Sequence, residues 1–138
     1  MFAYCRELRG FYINLNYNLD TVPSNCFRGT FSNCSSLQLF EFYLPAATLT
    51  SYCYANMFEN CTSLEYPPDL YDVTTLASHC CESMFKGCTS LYNTASMGNV
   101  TTLADYCFSN MYNGCTSLVS SSSLPNVDLA SFCYYHMF

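Results

Sequence analysis

The residues best suited to chemistry in this 138-residue chain are its eleven cysteines and two histidines. The densest group is His79-Cys80-Cys81, with Cys88 a short way on. Thiolate and imidazole are zinc's usual ligands, but zinc sites pair them two to four residues apart on each side of a loop. The chain has no Cys-x-x-Cys, and His136 stands alone. Nucleophilic catalysis needs a base beside the nucleophile, and neither histidine has a motif-level partner among the many serines. The five glycines form no phosphate-cradling loop. The expectation is therefore no enzyme, no metal and no cofactor.

The spacing of the cysteines points elsewhere. Cys26, Cys53, Cys80, Cys107 and Cys133 follow one another at intervals of 27, 27, 27 and 26 residues. Cys5, Cys34, Cys61, Cys88 and Cys115 follow at 29, 27, 27 and 27. These are two ladders with one rung per repeat, plus Cys81. An unbridged cysteine acts as a small buried hydrophobe, so the ladders predict mostly free, stacked thiols. The cysteines sit in a unit seen best at Leu103 to Leu118, which returns at Leu76 to Leu91, at Leu49 to Leu64 and, worn, at Val22 to Leu37. The chain opens on the second half of a unit (Met1 to Leu8) and closes on the first half of another (Leu129 to Phe138). A fixed period this short predicts a solenoid. Residues 1–138 read as a single array of about five coils of 26–29 residues, expected to be a piece of a longer one because repeat arrays need caps.

Each unit carries start and stop signals. Thr21, Thr48, Thr75, Thr102 and Asp128 precede the first apolar residue, as N-caps do. Asn33, Asn60, Gly87 and Gly114 fit the left-handed close of a helix. A uniform helix fails, because Asn56 would fall among Leu49, Cys53 and Met57 while Phe58 pointed away. About two helical turns with a tightened end are expected instead. The segments Gln38 to Tyr43, Glu65 to Asp69, Tyr92 to Ser96 and Val119 to Ser123 have strand length. The expected class is α/β: one short strand and one short helix per coil, with a parallel sheet on one face.

Lys+Arg 4 against Asp+Glu 10 gives a net charge of -6, too few cations to neutralise many phosphates. Nucleic acid and anionic membrane surfaces are disfavoured as partners. No apolar run reaches the length that crosses a bilayer, so direct membrane insertion is not expected.

The unit's core, as in Phe85-Lys86-Gly87-Cys88-Thr89-Ser90-Leu91 with a closing Leu124-Pro125, resembles the BspA-like leucine-rich repeats. It departs from them in the Met before the aromatic, an added Tyr-Cys element and a longer period. The resemblance implies a right-handed solenoid of a surface or secreted protein that mediates adhesion, and brings no catalytic residues. Related arrays occur in phage-associated proteins.

Variation between coils is concentrated in the strand-length segments. If the preceding leucine points inward, alternate residues point outward: Gln38, Phe40 and Phe42; Glu65 and Pro67; Tyr92, Thr94 and Ser96; Val119, Ser121 and Ser123. These are the expected ligand-binding residues of an extracellular or cell-surface recognition module for a protein or glycan. The competing expectation is a structural spacer or fibre segment in a surface or virion assembly, self-associating through uncapped ends.

Overall fold

A computed structural model describes residues 1–10, 19–38, 44 and 46–138. The coils stack as the period requires, and three of them contribute parallel strands in sequence order: β1 (Leu19–Val22), β2 (Ala46–Leu49) and β3 (Thr75–Leu76). The register sets Thr21 beside Thr48, Thr48 beside Thr75, and Val22 beside Leu49 beside Leu76. A bridge from Thr75 to Thr102 extends the row by one coil. The threonines expected to cap helices are thus sheet residues. Among the described residues the strand-length segments after the unit pair at single points: Asn93 bridges Ser120, Tyr92 N–H donates to the Glu65 carbonyl (2.9 Å), and Val119 N–H to that of Tyr92 (3.1 Å).

The expected helix per coil is absent among the described residues. The unit is a run of tight turns. In the coil from Leu49, the N–H groups of Cys53, Ala55, Met57, Glu59 and Cys61 each donate three residues back, at 3.1–3.3 Å. The amides between them point along the stack: Tyr54, Asn56, Phe58 and Asn60 donate to Cys80, Glu82, Met84 and Lys86 carbonyls at 2.7–2.9 Å. Every fourth residue is left-handed: Tyr52 (φ 57), Asn56 (56) and Asn60 (58), then His79 (59), Ser83 (53) and Gly87 (72), then Tyr106 (56), Asn110 (54) and Gly114 (78). A left-handed residue at that interval cannot coexist with a continuous i→i−4 ladder. The alternation explains how the neighbours Met57 and Phe58 are both fully buried, where a helix with Leu49, Cys53 and Met57 on its inner face would turn Phe58 outward.

The core is a set of side-chain columns running through the coils. Phe31, Phe58, Phe85 and Tyr112 stack at ring separations of 5.4, 5.7 and 5.5 Å with planes within 7°. The Ala95 N–H donates to the hydroxyl of Tyr112 (2.9 Å), which lets one ring of the column be a tyrosine. Beside it Phe27, Tyr54, Cys81, Phe108 and Tyr134 share one repeat slot, so Cys81 is the small member of an otherwise aromatic column. A third column, Tyr52–His79–Tyr106–Phe132, stacks at 4.7, 4.9 and 5.0 Å. All four of its residues are left-handed, a backbone cost of about 1–2 kcal/mol each. Stacked ring pairs contribute about 0.5–1.5 kcal/mol apiece, which offsets much of that cost.

Candidate functional site

The residues of the metal-like group seen in the sequence are taken up in packing between coils. His79 lies between the rings of Tyr52 and Tyr106, with Nδ1 3.0 Å from Glu82 Oε2. The thiols of Cys61, Cys88 and Cys115 donate to the carbonyls of Phe31, Phe58 and Phe85, each at 3.1 Å. That ladder therefore ties each coil to its predecessor. Among the described residues no group of three or more His, Cys, Asp or Glu side chains could hold a metal ion.

All eleven cysteines are free thiols, and only Cys5 and Cys26 are exposed. Burial pushes Cys53, Cys61 and Cys107 up to about 12 and Cys115 up to about 11, so each stays protonated near neutrality. Attack on a disulfide reagent requires the thiolate. We expect two thiols to react quickly with Ellman's reagent in the native protein and the other nine only on unfolding. Fast reaction of more than two would contradict the buried ladders. These groups also set a pH dependence. The unfolded chain begins to release its thiol protons near pH 8.5. The folded chain holds them until about 12, so their stabilisation is complete below about pH 8.5 and is lost as pH rises toward 12.

With the copies occupied in packing, the segments between them form the remaining surface of interest. Gln38 is exposed, its N–H donating to the Arg9 carbonyl (2.8 Å), while Phe40 and Phe42 lie outside the described residues. Glu65, Tyr92, Val119, Ser121 and Ser123 are exposed, and Pro67 and Ser96 are half-buried. Thr94 does not face outward as the alternation predicted. It is buried, its hydroxyl accepting from Ser122 N–H (2.7 Å) and its carbonyl from Ser122 Oγ (3.3 Å).

Pro67, Thr94 and Ser96 meet at a groove of about 310 Å³, whose other lining includes Tyr66, Asp69 and Asn93. Tyr66 is 57% exposed. The side-chain oxygen of Asn93 is buried and has no hydrogen-bond partner among the described residues. Asp69 accepts the Tyr71 N–H at Oδ1 (2.9 Å), a local turn that fixes its carboxylate. Sequence alternation missed Tyr66 and Asp69 because it assumed a strand through Glu65 to Asp69. The adjacent Pro67-Pro68 pair was the available signal against one, since proline supplies no ladder donor.

The sequence profile described as "BspA type Leucine rich repeat region" matches residues 1–137 in six copies. No curated protein matches the chain. No solved structure matches it.

Proposed function

The chain belongs to the BspA-type leucine-rich-repeat family, and on that premise we propose that it is a non-enzymatic recognition module, binding a protein or glycan through the segments between its copies. Such a module works at a cell surface or outside the cell. Membership of that repeat family is consistent with a surface adhesion role. The observation that carries the reading is the division of labour along the chain. Within a unit the same slot holds Phe58, Phe85 and Tyr112, or Cys61, Cys88 and Cys115, all buried. Between units the aligned residues are Glu65, Tyr92 and Val119, chemically unlike and all exposed. Packing demands sameness from rung to rung, whereas a recognition surface gains specificity from difference.

Arrays of immobilised peptides and glycans, probed with the whole chain, test this directly. The triple variant Glu65→Gln/Tyr92→Ser/Val119→Ser alters only exposed side chains and should keep its melting temperature while losing the array signals. Signals unchanged in that variant would contradict the reading.

A further inference from the structure

The lining of the groove says what kind of group fits it. Its lining carries one carboxylate and neither lysine nor arginine. Asp69 brings a carboxylate with one oxygen fixed by the Tyr71 N–H, and Asn93 brings a buried side-chain oxygen without a partner among the described residues. The nearby hydroxyl and amide of Thr94 and Ser122 are already bonded to each other.

The charge around the groove has the same sense. Glu65, Asp69 and Asp72 fall within residues 65–72, a stretch with no lysine or arginine. The chain's four cations sit elsewhere: Arg6, Arg28 and Lys86 inside copies and Arg9 in the first connector. The ion pairs among the described residues, His79–Glu82 and Lys86–Glu59, involve none of these three acids. Tyr66, Tyr71 and Tyr92 add rings that are 57, 51 and 52% exposed, and ring faces attract cations.

We propose that the groove bounded by Tyr66, Pro67, Asp69, Asn93 and Ser96 takes a lysine or arginine side chain from a basic peptide segment of a partner protein. This rests on the recognition reading above and narrows it to one partner class. The cationic head meets the Asp69 carboxylate, and its aliphatic stem lies along Pro67 and the Tyr66 ring. Carboxylate–cation complementarity also predicts faster association at low salt.

The test uses the whole chain and a fluorescent peptide of alternating lysine and glycine. The same peptide with every lysine acetylated, and the neutral oligosaccharide cellohexaose, are run beside it. The lysine peptide should bind, weaken by about tenfold with Asp69→Asn, and lose binding on acetylation. Asparagine at this position keeps an oxygen to accept the Tyr71 N–H, so the turn is preserved. The control Asp128→Asn, an exposed acid elsewhere, should leave affinity unchanged. Equal losses from Asp69→Asn and Asp128→Asn would overturn the proposal in favour of general attraction to an acidic protein. Failure of the lysine peptide to bind would overturn it outright. Binding of cellohexaose that depends on Tyr66 but not on Asp69 would overturn it too, while leaving the recognition reading standing. Array signals insensitive to the triple variant would bring down both.

Discussion

Replacing Phe85 with alanine is expected to destabilise the protein by about 3–5 kcal/mol, the usual cost of deleting a fully buried aromatic ring. Phe85 is 0% exposed and stacks on both sides, against Phe58 at 5.7 Å and Tyr112 at 5.5 Å. Its carbonyl also accepts from the Cys115 thiol of the next coil. A central rung serves two inter-coil interfaces, and in a solenoid stability is nearly a sum of such interfaces. Since folded domains are stable by only about 5–15 kcal/mol, the variant should sit near the edge of folding. Urea titration of the wild type, Phe85→Ala and Phe85→Leu measures this, with leucine recovering most of the loss. A penalty below about 1 kcal/mol for alanine would mean that the column is not the core.

Gly87→Ala is expected to be the most damaging of the glycine substitutions, for two separable reasons. Gly87 has φ +72, where a side chain costs about 1–2 kcal/mol. A Cβ there would also collide with Asn60 Oδ1. Asn60 cannot give way freely, because its amide donates to Asn33 Oδ1 (3.2 Å) and its own φ is 58. Gly29 supplies the comparison: its φ is +59 and a Cβ there would meet nothing within 4 Å, so Gly29→Ala should show the backbone cost alone. Thermal melts should therefore rank Gly87→Ala well below Gly29→Ala. Adding Asn60→Gly to Gly87→Ala should remove the difference. Equal melting temperatures for the two single variants would contradict the crowding.

The repeat slots were the legible part of the sequence. Cys53, Met57, Phe58, Cys61 and Leu64 are all buried as their recurrence requires, because a column packed coil upon coil tolerates little change. The path of the backbone was less legible. Asn56 and its counterparts Gly29, Ser83, Asn110 and His136 were visible as polar or small residues in an apolar face, and they are the left-handed residues that make a helix impossible. Asparagine and histidine are enriched in that conformation, but serine at the same slot weakens the signal. Thr48 and Thr75 were ambiguous for a related reason: threonine suits both a helix cap and a strand, and only the register between coils decides. At the candidate site, Glu65 and Tyr92 followed from variation alone. Tyr66 and Asp69 depended on the path around Pro67-Pro68, where a strict period of two no longer applies, and Asn93 stood on the inward phase of the alternation between Tyr92 and Thr94.

The sharpest test of a coil built from turns is the thermal stability of Asn110→Gly against that of Asn110→Ala. Asn110 has φ 54, and its N–H donates to the Tyr135 carbonyl of the next coil (2.8 Å). In the turn ladder glycine should be tolerated with little change, while alanine loses about 1 kcal/mol to left-handed strain. In a helix the order reverses, with alanine favoured over glycine by about 1 kcal/mol. The predicted result is glycine above alanine in melting temperature. Alanine above glycine would contradict the turn ladder.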